Sequence, residues 1–397
     1  MSDMTEYKIV KITDLGTVNR GKSKHRPRND SILYGGEYPF IQTGDVKKAN
    51  LHLVDYTQTY NDVGLKQSKL WKKGTLCFTI AANIADSAIL GMDACFPDSI
   101  VGFLPYENVS DTTYVKYLFD ELKLYFQQIS KGTTQDNLSL DKICRVKLRV
   151  PDYDTQVKVA SILSTYDTAI ESNNKRIRLL EQMAENLYKE WFVRFRFPGY
   201  EDIEFEEKKP RGWKVGTEDK NNFAPTIFRY DEFGTIGSFV RGKNITAAQM
   251  IEGNIPVISA GLQPSGYHNE ANVFGENLTI SASGANAGYL QYNLNDIWAA
   301  DCSYYQDDAT IWFVYNTLKY LQPVISNLQC GAAQPHVYPK NINRLCVLIP
   351  TEELIHKYND SVKPYYDEIK VLNQHNQLLT QQRDMLLPRL MSGKLEV

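Results

Sequence analysis

The chain lacks what a membrane span, a secreted scaffold or a metal site would require. No run of about 18 apolar residues exists, so nothing is expected to cross a bilayer. The opening MSDMTEYK has no apolar signal region, and the expected compartment is the cytoplasm. Six Cys are scattered through 397 residues without a C-x-x-C pair. Reduced thiols are expected, with neither a disulfide framework nor a zinc site. The six His stand apart from ligand partners in sequence, so no metal-binding residue is assigned. There is no glycine-rich cofactor loop after a strand, no N-P-P-Y/F methyltransferase motif and no carboxylate pair to act as acid and base. No catalytic residue is therefore assigned, and the chain is expected not to be an enzyme.

An excess of positive charge is also missing, since the net charge is −3. Residues 1–150 carry 20 basic and 17 acidic side chains, and residues 201–350 carry 11 and 16. Any contact with DNA must rest on local patches.

What is present is a sustained heptad seam. Leu163, Tyr166, Ile170, Asn173, Ile177, Leu180, Ala184, Leu187 and Trp191 alternate steps of three and four. That is the pattern of a helix that pairs with another helix. Adding 199 to each number gives Val362, Tyr365, Ile369, Leu372, Asn376, Leu379, Arg383, Leu386 and Leu390, with the same alternation. Two such helices in one chain predict an antiparallel intramolecular coiled coil. Each seam has one Asn, and a buried Asn often fixes register, so Asn173 and Asn376 are expected near each other. Arg176, Arg178, Glu181 and Glu185 lie off the seam and are expected to present charge outward.

The repeat extends beyond the helices. Leu15–Lys22 matches Ile236–Lys243, Lys116-Tyr117-Leu118 recurs as Lys319-Tyr320-Leu321, and Gly132-Thr133-Thr134-Gln135 matches Gly331-Ala332-Ala333-Gln334. The period near 200 is too long for a solenoid and marks a tandem duplication. The expected fold class is mixed α/β (α+β), with two similar globular domains separated by two long helices. The expected boundaries are 1–152 and 199–350 for the globules, and 153–198 and 351–397 for the helices. A charged linker, 199–212, opens the second globule. Leu76–Ile80, Ile100–Leu104, Leu278–Ser281 and Thr310–Val314 read as strands. So do Val146–Val150 and Leu345–Ile349, which end at Pro151 and Pro350. Tyr114–Ile129 reads as helical. Pro198-Gly199 is expected to stop the first long helix, and Pro388 to kink or end the second near Leu387.

Gly16–Ser23 matches the phosphate-loop pattern G-x-x-x-x-G-K-S literally. Such a loop needs a strand before it and a helix after it. Lys24-His25-Arg26-Pro27 cannot begin a regular helix, and the second copy has Asn244 in the hydroxyl position. The better reading is a short, flexible cationic loop in which Arg20, Lys22, Lys24, His25, Arg26 and Arg28 meet phosphates or guanine edges. A solvated surface loop is the plain alternative. Lys72 and Lys73 extend the basic character of the first globule, with solubility as the alternative. Thr133, Thr134, Gln135 and Asn137, and Gln334 and His336, lie in polar loops at equivalent places. Gln and Asn can pair with adenine, although a shared structural turn would recur equally. Arg241 and Lys243 repeat Arg20 and Lys22. Ser283 and Asn286 lie in a small-residue loop that lets backbone approach a ligand, or that is merely a turn.

These features together resemble the specificity (S) subunit of type I restriction–modification systems. The resemblance rests on the two helices, each preceded by Gly-x-x-Gln and a strand ending in Pro. It rests also on Leu187–Phe195, Pro210-Arg211-Gly212-Trp213 and the ending Leu387–Gly393, and it covers the whole chain. It implies two target-recognition domains, each reading one half of a split site in double-stranded DNA. It implies helices that act as spacers and dock two methyltransferase (M) subunits, with restriction (R) subunits joining them. S-adenosylmethionine, ATP and Mg are expected in those partners and no cofactor in this chain. No membrane partner is expected, and the cell would be bacterial or archaeal. Because Arg20–Asp30 is strongly basic and Arg241–Glu252 has only two basic residues, the halves are expected to read different sequences. The alternatives are a protein–protein scaffold, or the recognition part of a fused methyltransferase.

Overall fold

The computed structural model of the protein describes residues 7–131, 138–207, 223–329 and 335–397. Contacts divide the chain into two compact units, Met1–Lys175 with Asn373–Val397, and Arg176–Leu372.

In the first unit, strands β1 (Gly16–Arg20), β2 (Leu76–Thr79), β3 (Ser87–Leu90) and β4 (Ile100–Pro105) form a sheet in the order β1-β4-β2-β3. Their pairs are antiparallel, with Arg20 opposite Val101 and Cys77 opposite Gly102. The strand His52–Leu53 adds in parallel to β3. Both faces of β2 are buried, which is why Leu76–Thr79 shows no alternation in sequence. Helix α1 (Thr112–Glu121) packs on this sheet, started by Asp111, whose carboxylate accepts from Tyr114 N at 2.8 Å.

The second unit repeats the arrangement. Strands β5 (Val240–Arg241), β6 (Asn277–Ser281), β7 (Leu290–Asn293) and β8 (Cys302–Tyr305) lie in the order β5-β8-β6-β7, all antiparallel. In each unit a further antiparallel pair leads into a long helix. Lys8–Val10 pairs with Leu148–Val150, and Arg229–Glu232 pairs with Cys346–Ile349. The strands thus end at Pro151 and Pro350, and the helices follow. Asp152 caps the first, accepting from Thr155 N at 3.0 Å. Thr351 caps the second, accepting from Leu354 N at 3.3 Å.

Four sequence expectations need correction. Thr310–Val314 is not a strand; Ile311–Tyr320 is helix α3. A β-branched, aromatic run of five suits either state, and the buried set Ile311, Val314, Thr317 and Leu318 has helical spacing only over ten residues. The second long helix, Glu352–Met391, runs through Pro388 and does not end at Leu387. Pro388 removes one amide from the last turns, and Asp384, whose carbonyl loses that partner, is exposed to water. The first long helix, Tyr153–Tyr188, passes into a π turn at Lys189–Val193, closed by Arg194 N on Lys189 O at 2.8 Å. The turn, with Phe195 at φ 58°, ends it before Pro198-Gly199 is reached. Lastly, the charged linker is partly structured, because Phe205–Glu207 pairs with Phe223–Pro225.

The long helices, α2 (Tyr153–Tyr188) and α4 (Glu352–Met391), contribute to both units and run antiparallel within each. In the first unit Asn173 Nδ2 donates to Asn376 Oδ1 at 2.9 Å, and Asn376 Nδ2 donates to Asn174 Oδ1 at 2.8 Å. In the second unit Tyr358 donates to Ala184 O at 2.9 Å. Leu163, Ile170, Leu180, Val362, Ile369 and Leu372 are buried. Tyr166, Asn173, Ile177, Leu187, Tyr365, Asn376, Leu379 and Leu386 are half-buried.

Candidate nucleic-acid interface

The cationic segment of the first unit grows out of the end of β1. Gly21 N donates to Ile100 O at 2.8 Å and Lys22 N to Phe96 O at 3.0 Å. A Cβ on Gly21 would stand 2.3 Å from Pro97 O, so only glycine lets the chain pass this close. The Gly16–Ser23 pattern therefore lies along a strand and its exit. The next helical turn is the short one at Ser31–Leu33, so no phosphate loop forms.

The loop that follows is braced rather than flexible, which corrects the expectation. Gln67 Oε1 accepts from Lys24 N at 2.6 Å and His25 N at 3.0 Å, and Ser68 donates to Lys22 O at 2.7 Å. The Arg26 guanidinium closes its own turn, donating to Ser23 O at 2.8 Å and His25 O at 2.7 Å. Arg28 binds both oxygens of Asp98, at 2.8 and 2.9 Å. His25 lies 2.9 Å from Asp30, and that hydrogen bond holds the Asp30 carboxyl below its usual range. What remains is Arg20, Lys22 and Lys24, exposed and without a side-chain partner among the described residues. Lys72 pairs with Asp93 at 2.7 Å, while the Lys73 side chain is exposed.

Beside the sheet, the turn from β2 to β3 holds three non-glycine residues at positive φ: Ala82, Asn83 and Ala85, at 47°, 37° and 69°. Such backbone costs about 1–2 kcal/mol per residue and clusters at functional sites. Thr79 holds it, donating to Asn83 O at 2.5 Å and accepting from Asp86 N at 3.0 Å. The chain returns to this turn at Leu138, whose N–H donates to Ile80 O at 3.0 Å. Thr133, Thr134, Gln135 and Asn137 lie outside the described residues.

The second unit has the same construction and a different charge arrangement. Gly242 N donates to Cys302 O at 2.9 Å, and Lys243 N to Ala299 O at 2.9 Å. The turn from β6 to β7 uses Gly284 and Gly288, at φ 74° and 87°. Val337 N donates to Ala282 O at 3.0 Å, the counterpart of Leu138 on Ile80. Here the cation is neutralised: the Arg241 guanidinium and the Ser283 hydroxyl both donate to Asp301. Ser283 bridges backbone with His336, whose ring stacks on Tyr338 at 5.9 Å. Asn286 donates to Ala260 O at 3.4 Å, and the Lys243 ammonium lies 5.9 Å from the Trp298 ring. Arg241, Ser283 and His336 thus converge on one place, with Asn286 on the same turn. Gln334 lies outside the described residues.

Sequence reasoning missed Asp98 and Asp301, the carboxylates that decide which arginines are engaged. It missed also the turn Ile80–Asp86, although aligning Leu76 with Leu278 superimposes that turn on Ala282–Gly288. Of the charges expected to face outward on α2, Arg176 and Arg178 are exposed, as expected, and Glu181 and Glu185 are half-buried. Arg176 pairs with Glu368, and Arg178 also has a partner. Glu181 is held up in pKa by burial, and Glu185 accepts from Lys189 at 2.6 Å and Lys319 at 3.3 Å. Exposed apolar side chains lie on the same helices as well: Leu179, Met183 and Val371 in the second unit, and Ile162, Leu378 and Met385 in the first.

Residues 4–182 and 226–381 match the family described as the type I restriction modification DNA specificity domain. The MjaIX type I restriction enzyme specificity subunit of Methanocaldococcus jannaschii is 26% identical over 417 residues, covering 99% of this chain and 94% of its own. The HindI specificity subunit of Haemophilus influenzae is 29% identical over 204 residues, covering 49% and 42%. The crystal structure of a type I restriction–modification S subunit from M. genitalium aligns with a TM-score of 0.56 at 16% identity, over 98% of this chain and 97% of that one.

Proposed function

Since the chain belongs to the type I restriction modification DNA specificity family, we propose that it is the specificity subunit of such a system and reads an asymmetric, bipartite site in double-stranded DNA. Each unit reads one half. The observation that carries this is the duplication: one sheet order twice, with unlike charge at the equivalent edge. Arg20, Lys22 and Lys24 stand ready for phosphates or base edges on the first unit, whereas Arg241 is neutralised by Asp301 on the second. Equivalent loops of unlike chemistry suit unlike half-sites.

In this reading the subunit is non-catalytic and works in the cytoplasm of a bacterium or archaeon. Two M subunits dock on α2 and α4 through the exposed apolar residues, and methylate adenine with S-adenosylmethionine. R subunits add ATP- and Mg-dependent action on the DNA. Base extrusion and methyl transfer belong to M.

Co-expression with the M subunit, followed by mapping of adenine methylation on the host DNA, tests the proposal. A split motif with two different halves is expected. A palindromic motif would overturn the asymmetry. A chain that binds S-adenosylmethionine alone would favour a fused enzyme, and one without salt-dependent DNA affinity would favour a scaffold.

A further inference from the structure

The duplicated helices raise a question of partner choice. A seam repeated at an offset of 199 residues is, by symmetry, complementary to itself. In principle α2 could pair with α2 of a second copy, and α4 with α4, as readily as α2 with α4. The polar residues of the seam are placed against this.

Asp167 beside the seam, and Asn173, Asn376 and Arg383 on it, all lie in the first unit. Asp167 is fully buried and accepts from the Arg383 guanidinium and from the Tyr117 hydroxyl. Arg383 also donates to Asn50 Oδ1 at 3.3 Å, so the ion pair is tied into the globule. Nearer the middle of the helices stands the Asn173–Asn376 pair. The offset carries Asp167 to Tyr366, Arg383 to Ala184, Asn173 to Leu372 and Asn376 to Ile177. Those four belong to the apolar cluster of the second unit. Tyr366 there stacks on Trp312 at 5.3 Å, and its hydroxyl accepts from Asn316 at 2.9 Å. The first unit thus carries polar side chains at positions where the second unit is apolar.

We propose that these positions form a pairing key that admits α4 to α2 and rejects a second copy of either. Pairing α2 with another α2 in the same register sets Asp167 against Ala184 and Asn173 against Ile177. Asp167 then loses its arginine and Asn173 its amide partner. Pairing α4 with another α4 sets Arg383 against Tyr366 and Asn376 against Leu372, with the same result. An unmatched buried charge or amide is strongly disfavoured, whereas the α2–α4 pairing satisfies every one. The key holds one chain to two unlike halves and keeps two copies of one half from assembling. It stands on the seam alone and does not depend on the DNA reading.

The test uses full-length chains with two different affinity tags. One carries Asp167→Arg and the other Arg383→Asp. Within either chain like charges meet at the buried position. Exchange of helices between the two copies restores an acid–base pair at both junctions. Cross-capture in the mixture is expected to exceed that of tagged wild-type chains, and of either variant with itself, by about tenfold or more. Equal capture in all mixtures overturns the key. A second variant, Asn173→Leu with Asn376→Ile, gives the first unit the residues of the second and buries no charge. It is expected to fold and to self-associate at least about fivefold more than wild type. A variant as monodisperse as wild type removes the Asn pair from the key, and that result together with equal capture in the charge mixtures overturns the proposal whole.

Discussion

A cation that is already hydrogen-bonded inside its own fold must give up that partner before it can neutralise a phosphate. Arg26 and Arg28 are in this position, while Lys22 and Lys24 are not. Lys22→Ala with Lys24→Ala is therefore expected to flatten the slope of log K against log[salt] by up to about 1.8. Arg26→Ala with Arg28→Ala should change the slope by less than about 1 and lower the melting temperature instead. Titration across 50–300 mM salt separates the two, and equal slopes for both variants would remove Lys22 and Lys24 from the interface. A second residue-scale effect follows from Glu171 on α2, which accepts from Leu51 N at 3.1 Å, His52 N at 2.7 Å and His52 Nδ1 at 3.0 Å. The hydrogen bond to Glu171 raises the His52 pKa above 6.5. His52 lowers that of Glu171 below 4.5, against the opposing effect of burial. A raised folded pKa means that the His52 contribution is full below about pH 6.5 and fades as pH rises through the folded value. The Glu171 contribution is present above about pH 4.5 and fades below it. Between pH 6 and pH 8 the wild type should lose thermal stability that His52→Gln does not lose. Melting curves at the two pH values decide this, and parallel losses would detach His52 from the effect.

Among the elements, the long helices were the most legible in sequence because a three-four alternation over nine positions has no other reading. The strand pairs leading into them were legible from Pro151 and Pro350. Helix α3 was not: Thr310–Val314 satisfies strand chemistry, and only Asn359, which accepts from Phe313 N at 2.9 Å from far along the chain, shows the helix in place. The same distance in sequence hid the engagement of the candidate site. Arg28 meets Asp98 seventy residues on, and Arg241 meets Asp301 sixty residues on. Loop composition alone therefore overcounted the available cations. On α2 Arg176 and Glu185 are ion-paired, and the exposed apolar residues carry the docking prediction. Leu179→Asp with Met183→Asp, at side chains 51% and 48% exposed, should abolish co-purification with M and leave the melting temperature nearly unchanged. Arg176→Ala with Arg178→Ala should leave the complex intact. The reverse result would place docking on the charged residues.

At the scale of the whole molecule, each long helix contributes residues to both compact units, with 36 residues in α2 and 40 in α4. In the proposed function, the gap between half-sites is then a property of helix length. Lengthening must preserve both the seam and the face of the duplex that is read. Seven residues in each helix keep the heptad and add about 10 Å. That is about 3 base pairs, which turns the second half-site by roughly 100° about the DNA axis. Twenty-one residues also keep the heptad and add about 32 Å, close to one turn of about 10 base pairs. Insertions after Lys175 and Leu372 leave the Asn173–Asn376 and Asp167–Arg383 pairs within their own unit. The 21-residue variant, co-expressed with M, should methylate the same half-sites with a gap longer by about 9–10 base pairs. The seven-residue variant should methylate poorly at every spacing. Methylation of the 21-residue variant at the original gap would mean that the helices do not set the distance. Equal activity of the two variants would mean that the face of the duplex does not matter.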